Sequence, residues 1–264
     1  MLLRTVILQF DVCLGDRAEN QQRVESMLAA SWKDSDMTTA VVLPELWDVG
    51  YALESKESLA DEEGSAALRF LGTLARKYNA WFVGGSVMAH TERGYVNRAQ
   101  VMAPDGHLVN YYDKVHLIGL MDEDKHFTHG NRKCEFGIDG VKCAVCICYD
   151  LRFCEWLRTF AVDGANVLFI SAEWPQERIE HWRTLLRARA IENQMYVVAC
   201  NRVGTSKGTL FGGVSAVIDP LGNVLFEGGK SEECAIVTFD TAESAKAREA
   251  LPVFSDRRAQ LYFK

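Results

Sequence analysis

Thr39-Ala-Val-Val-Leu-Pro44 is an apolar run with no polar alternation. A strand of this kind is covered on both faces, so protein must lie above and below its sheet. The run at 141–147, Val-Lys-Cys-Ala-Val-Cys-Ile, is too short to span a membrane but right for a buried strand. Another buried strand is predicted at 166–171, and further strands at 5–10, 80–87, 196–201 and 234–239. Between them lie segments with helical spacing. Residues 16–33 put Val24, Met27, Leu28 and Trp32 on one face, and 65–78 line up Leu68, Leu71 and Leu74. Residues 151–162, 176–194 and 242–251 also read as helices. Pro104-Asp105-Gly106-His107 joins 95–103 to 108–115 as a hairpin, and Pro220-Leu221-Gly222 joins 214–219 to 223–228. Residues 118–132 lack a clean period and read as a loop.

No Pro/Gly/Ser-rich linker divides the chain, so one domain is expected over residues 1–264. Its βα units and hairpins suggest a mixed sheet, or two stacked sheets with helices outside. Residues 252–264 are expected to be a tail that docks on a partner subunit. The 264 residues are 48% hydrophobic and can bury a full core. The net charge of −7 argues against nucleic acid and against an anionic membrane surface as partners. No stretch approaches the ~20 apolar residues of a membrane-spanning helix. The first ten residues lack the long apolar core of a signal peptide. The eight cysteines lie mostly in apolar runs and are expected to be reduced, in a cytoplasmic protein.

The run at 141–147 stops at Cys148-Tyr149-Asp150, and helical spacing follows. A thiol therefore sits where a strand hands over to a helix. Nearby N–H groups at such a corner favour a thiolate and can hold an oxyanion. The expected thiolate is exposed and reactive, and so the cysteine most open to oxidation. Glu45 and Lys114 share this placement at the ends of predicted strands, where α/β folds assemble sites. A carboxylate, an ammonium and a thiol form a sensible set. The carboxylate takes the thiol proton, and the ammonium and the Tyr149 N–H hold an oxyanion. A rival is a Cys–His dyad using His116, His126, His129 or His181. Cys143-Ala-Val-Cys146 has redox or metal spacing, but two strand residues three apart face opposite ways. No metal and no cofactor are expected. Cys13, Cys154 and Cys200 read as packing residues. Trp174 and Tyr51 are candidate pocket walls. Arg152 is placed to pair with Glu155 and, with Asp150, to fix the corner, though it can reach a substrate. Arg178 has two readings, a site for a substrate carboxylate or a salt bridge to Glu173.

Five segments occur in order: Leu43-Pro44-Glu45, Asp113-Lys114-Val115-His116-Leu117, Cys148-Tyr149-Asp150-Leu151-Arg152-Phe153-Cys154-Glu155, Ala172-Glu173-Trp174-Pro175 and Ala188-Arg189-Ala190-Ile191-Glu192-Asn193-Gln194. Together they resemble the nitrilase, or carbon–nitrogen hydrolase, superfamily, from the first strand to at least Asp219. The resemblance implies an α/β (α+β) fold, a four-layer α-β-β-α sandwich, that dimerises through its helical layer or forms a higher homo-oligomer. It implies Glu45 as base, Lys114 as oxyanion stabiliser and Cys148 as nucleophile. It also implies a second glutamate after the lysine, and Glu123 fits that place between Asp122 and Asp124.

The Cys-Tyr-Asp-x-Arg-Phe form and the Trp-Pro-x-x-Arg helix start look most like the ω-amidase group. Those enzymes hydrolyse the terminal amide of short 2-oxo acid amides such as 2-oxoglutaramate. The expected partner is then a small amide, bound with help from Tyr149, Trp174, Tyr51 and Arg152. Three alternatives stand beside this reading. One is an N-carbamoyl amine hydrolase. Another is a nitrilase, disfavoured because nitrilases usually show Cys-Trp-Glu. The third is a catalytically idle interaction module, disfavoured by the intact Glu45, Lys114 and Cys148 set.

Overall fold

The apolar runs become the inner strands of two stacked sheets. The computed structural model describes residues 1–262. The first half runs β1 (Leu2–Gln9), α1 (Arg17–Ser31), β2 (Thr39–Val42), α2 (Lys56–Leu59), β3 (Asp61–Glu62), α3 (Ser65–Tyr78), β4 (Trp81–Thr91), β5 (Gly94–Met102), β6 (Leu108–Asp113) and α4 (Glu123–His126). The second runs β7 (Cys134–Ile138), β8 (Val141–Ile147), α5 (Cys154–Val162), β9 (Val167–Ala172), α6 (Ile179–Asn193), β10 (Tyr196–Asn201), β11 (Thr205–Ser206), β12 (Thr209–Leu210), β13 (Ala216–Ile218), β14 (Val224–Glu227), β15 (Glu233–Asp240) and α7 (Ala242–Ala250).

One sheet has the order β15-β1-β2-β4-β5-β6, with β3 beside β4, and the other β14-β13-β10-β9-β8-β7. Each has three parallel strands at its centre, β1-β2-β4 and β8-β9-β10, flanked by antiparallel ones. Along β1, Leu3 and Ile7 face the second sheet, while Val6 and Leu8 face Val24, Leu28, Leu71 and Leu74 of α1 and α3. This is strand alternation used to fill two layers at once. On the other side, Leu157, Phe160, Trp182 and Leu186 of α5 and α6 cover the second sheet. The result is the expected α-β-β-α layering.

Three expectations are corrected. The stretch read as a loop contains a 3₁₀ turn, Gly119–Met121, and the one-turn helix α4. Strand β7 was not expected. It alternates buried and exposed residues over only five positions, too short for a clear period, and pairs with β8 through Asp139-Gly140. Both turn residues have positive φ, 45° and 84°, as the twist of a two-residue hairpin demands. Cys154, read as a packing residue, is exposed at the start of α5. Phe263 and Lys264, the last residues of the expected tail, lie outside the described residues.

Candidate active site

The C-terminal ends of parallel strands, where α/β folds build sites, meet here across the gap between the sheets. Glu45 lies three residues past β2, Cys148 directly follows β8, and Glu173 directly follows β9. Strand β6 is antiparallel to β5, as β4 is, so it runs the same way as β4 and ends at the same edge with Lys114.

Each position is held by its own local device. Ser86 of β4 brackets the turn at Glu45: its Oγ accepts from Leu46 N–H at 2.9 Å, its N–H donates to the Pro44 carbonyl at 3.2 Å, and its carbonyl accepts from Trp47 N–H at 3.0 Å. Leu46 is bent to φ 44° there. Lys114 donates its N–H to the Asn97 carbonyl at 2.9 Å and accepts from Gly130 at 2.8 Å. A Cβ on Gly130 would stand 1.9 Å from the Asp113 carbonyl oxygen, so only glycine permits this approach. Glu123 opens α4 after Asp122, which is at φ 60°.

The Cys148 corner is itself left-handed, at φ 45°, a conformation rare for a side-chain-bearing residue. Asp150 holds it. Its two oxygens accept from the Tyr112 hydroxyl at 2.8 Å, the Ile147 N–H at 2.9 Å, the His116 N–H at 3.0 Å and, at 2.7 Å, the His116 ring. The expected scaffolding role of Asp150 thus has a geometry. A 3₁₀ turn, Cys148–Arg152, follows. The Tyr149 N–H stands in its first turn, where N–H groups have no intrahelical acceptor.

Glu45, Lys114 and Glu123 are all fully buried. Lys114 Nζ stands 2.7 Å from Glu45 Oε1 and 2.7 Å from Glu123 Oε2. Asn97 Nδ2 also bridges the carboxylates, at 2.9 Å from Glu45 Oε1 and 3.1 Å from Glu123 Oε1. The Tyr51 hydroxyl spans the same two oxygens, at 3.1 and 3.2 Å. Glu45 Oε2 accepts from the Glu173 N–H at 2.9 Å, and Glu123 Oε2 from the Ile118 N–H at 2.8 Å. Every carboxylate oxygen is therefore occupied, as buried charge requires.

Burial would push the Lys114 ammonium down. The carboxylates of Glu123 and Glu45 outweigh it and hold the lysine above its ordinary range, so it stays protonated. Glu123 moves up, through burial first, with Glu45 adding to the rise and Lys114 opposing it. The Cys148 thiol is only 3% exposed. Burial pushes it well up, Glu45 adds to the rise and Lys114 pulls the other way. This corrects the expectation of an exposed thiolate. The resting group is a covered thiol with a carboxylate beside it, and burial outweighs any gain from the corner N–H groups.

The Cys–His dyad is corrected too. His116 binds Asp150 and stacks on Phe153 at 3.7 Å, His126 meets Lys56, His129 meets the Val115 carbonyl and His181 meets Arg152. None is among the groups acting on the thiol. Arg152 makes no pair with Glu155. It lies over Trp174 at 4.7 Å and Tyr149 at 6.0 Å, with His181 Nδ1 at 3.5 Å, and among the described residues no carboxylate is within salt-bridge reach. Trp174 is buried, with Nε1 donating to the Arg178 carbonyl at 2.8 Å. Arg178 pairs with Glu177 at 2.6 Å, while Glu173 pairs with Arg202, so the expected Arg178–Glu173 bridge is absent.

Asn97 was not singled out in the sequence. Its signal was an amide inside the buried stretch Asn97-Arg-Ala-Gln100, where a polar side chain needs a partner. Tyr51 was expected only as a wall, and its hydroxyl proves to tie the two glutamates together.

Residues 7–249 match the family described as Carbon-nitrogen hydrolase. The chain is 44% identical over 255 residues to a 2-oxoglutaramate amidase of Bacillus subtilis, covering 97% of each. It is 36% identical over 219 residues to an omega-amidase of Escherichia coli, covering 82% of this chain and 83% of the relative. Among solved structures it superimposes, with a TM-score of 0.90 and 32% identity over 97% of each chain, on a CN-hydrolase superfamily protein of Xanthomonas campestris with an arsenic adduct in its active site. Saccharomyces cerevisiae Nit3, of branch 10 of the nitrilase superfamily, gives 0.89 and 27% over 97% of each chain.

Proposed function

The chain belongs to the carbon–nitrogen hydrolase family, and from that premise we propose that it cleaves the terminal amide of a short 2-oxo acid amide to carboxylate and ammonia through a Cys148 thioester. The observation that carries the reading is Lys114, held at 2.7 Å from both Glu45 and Glu123 beside a buried thiol. Its relatives named 2-oxoglutaramate amidase and omega-amidase supply the substrate class.

Glu45 accepts the Cys148 proton as the sulfur attacks the amide carbon. The carbonyl oxygen becomes an oxyanion, held by Lys114 and the Tyr149 N–H. Glu45, now protonated, gives that proton to the amide nitrogen, the C–N bond breaks and ammonia leaves. A water then loses a proton to Glu45 and adds to the thioester carbon. The second tetrahedral intermediate expels the Cys148 sulfur, which recovers its proton from Glu45. Glu123 fixes Lys114 from the far side, so the ammonium need not move as charge develops. Because the thiol is uncharged at rest, proton transfer and attack are coupled, and the nucleophile is unmasked only with an amide in place.

At the rim, Arg152 has a guanidinium with no acidic partner among the described residues, braced by Trp174 and flanked by Tyr149. It receives the substrate carboxylate. Tyr51, tied to Glu45 and Glu123 through its hydroxyl, forms a further wall of the site. A second copy of the chain docks on the α5–α6 layer. Support for this comes from exposed Leu251, Leu261 and Tyr262, and from a cavity of about 600 Å³ lined by Cys154, Arg158, Val253 and Tyr262.

The test is a panel of 2-oxo acid amides, carbamoyl amines and nitriles assayed with the wild type and with Cys148→Ala. Ammonia release from the 2-oxo acid amides by the wild type alone is expected. Equal activity in the two proteins would remove Cys148 from the mechanism, and preference for a carbamoyl amine would overturn the substrate class.

A further inference from the structure

Behind Glu45 lies an ion pair that the reaction above leaves idle. The Glu173 side chain is fully buried. Its Oε2 accepts from Arg202 Nη1 at 3.0 Å, while its Oε1 is buried without a hydrogen-bond partner. Arg202 is also fully buried. Its Nη2 continues to Asp11 Oδ1 at 2.6 Å and the Val12 carbonyl at 2.8 Å, and its Nε to the Val203 carbonyl at 3.1 Å. The Asp11 side chain is 45% exposed. A line of charge thus runs from solvent through Asp11, Arg202 and Glu173, ending at the peptide N–H that grips Glu45 Oε2. A buried pair of this kind adds little stability over apolar packing, because desolvation offsets the attraction. An unpartnered carboxylate oxygen makes it less favourable still.

We propose that Glu173 is a positioning residue for the general base: its own N–H holds Glu45 Oε2 in place, and its side chain, when ionised and locked on Arg202, sets a negative charge beside that carboxylate, so that Glu45 takes the Cys148 proton more readily than it would without that charge. This rests on the reading of Glu45 as the base. The groups facing Glu173 are Arg202, with Asp11 behind it, and Glu45 and Lys114 on the catalytic side; the Tyr51 phenol also feels its charge. Burial pushes the Glu173 carboxyl up to about 7, Arg202 pulls it down, Glu45 adds to the rise and Lys114 opposes it. Glu173 therefore gains its charge through the neutral range. Turnover rises with pH through that window, because the ionised form is the one that assists. The coupling is reciprocal. When Glu45 carries the thiol proton it no longer repels Glu173, and the ionised Glu173 in turn favours the proton-loaded base.

The experiment is the pH profile of kcat/KM for wild type, Glu173→Gln and Asp11→Asn, with melting temperatures and with Cys148→Ala as control. Glutamine retains an oxygen for Arg202 but carries no charge. Wild type is expected to show a rising step near pH 7. Glu173→Gln should lose that step and fall about tenfold in kcat at pH 8, with KM within about twofold and little change in melting. Asp11→Asn leaves more of the Arg202 field on Glu173, so its step should move to lower pH. A Glu173→Gln profile that matches wild type in height and shape overturns the proposal. If that variant does not fold, a step in Asp11→Asn that stays in place overturns it instead. Failure of the underlying mechanism reads differently, as activity retained by Cys148→Ala.

Discussion

Lys114 and Glu45 meet at 2.7 Å with neither side chain open to water. In such a pair neither charge can be removed quietly. Lys114→Met leaves Glu45 and Glu123 facing each other without a cation between them. Breaking a buried pair from one side costs about 3–5 kcal/mol, and loss of an oxyanion donor lowers turnover on the order of 100–1,000-fold. Urea denaturation and kcat should both register the change. A variant as stable and as active as wild type would remove Lys114 from the site.

Thiol labelling should sort by size. Cys154 is exposed, whereas Cys148 is covered and lies beside Glu45. A bulky maleimide is expected to modify Cys154 first. Iodoacetamide, itself a small amide, is expected to modify Cys148 and abolish turnover. Peptide mass mapping after each reagent separates the two. Inactivation without alkylation at Cys148 would contradict the assignment.

Asp150 gathers donors from Tyr112, His116 and Ile147 at the base of the corner. Asp150→Ala strands them in a buried setting and should cost about 3 kcal/mol. The left-handed turn at Cys148 then loses its brace, and kcat should fall more than KM rises. Unchanged stability in denaturant would show that the corner holds itself.

Asp48 offers a pH signature outside the site. It is buried, and burial lifts its carboxyl from 3.8 to about 6, with Arg17 opposing. An acid whose folded value is raised binds its proton more tightly when folded. Its contribution to stability therefore falls as pH rises from about 4, and the penalty is complete above about 6; two pKa units correspond to about 3 kcal/mol. Asp48 Oδ1 has no hydrogen-bond partner among the described residues, so Arg17 on Oδ2 is the main offset to the cost of its charge. Asp48→Asn should flatten the stability curve between pH 4 and 6 relative to wild type. Parallel curves would disprove the titration.

Arg152→Met should raise KM for 2-oxoglutaramate about 10–100-fold, the worth of a charge-assisted hydrogen bond. A neutral amide of similar length should be hydrolysed as before. An equal loss for both substrates would place Arg152 in the scaffold rather than on the carboxylate.

The sequence made the strands and the strand-end residues legible because both follow from local pattern. An unbroken apolar run means cover on both faces, and Cys148 stood where such a run stopped. What the pattern could not convey was distance between elements. Asn97 and Glu173 look like ordinary polar residues until β5 and β9 are set against Glu45. Strand β7 was hidden by its length, although Asp139-Gly140 carried the turn chemistry for it. The charge state of Cys148 was misread for a related reason. A corner beside N–H groups suggests a thiolate, and only its burial between the sheets, with Glu45 and Glu123 beside it, reverses that balance.

The seam between the sheets separates two kinds of change. Glu45, Asn97, Lys114 and Glu123 come from one sheet and its loops, and Cys148 and Glu173 from the other; Glu45, Lys114, Cys148 and Glu173 stand at or just past strand ends, Asn97 within β5 and Glu123 at the start of α4. The groups proposed to meet the rest of the substrate, Arg152, Tyr149 and Trp174, sit on the turns just beyond. On the proposed mechanism, lengthening or rewriting those turns would alter which acyl group is admitted without moving Glu45, Lys114 or Cys148. A lineage built on this frame can drift in diet while keeping its chemistry, because appetite and bite are anchored in different parts of the backbone.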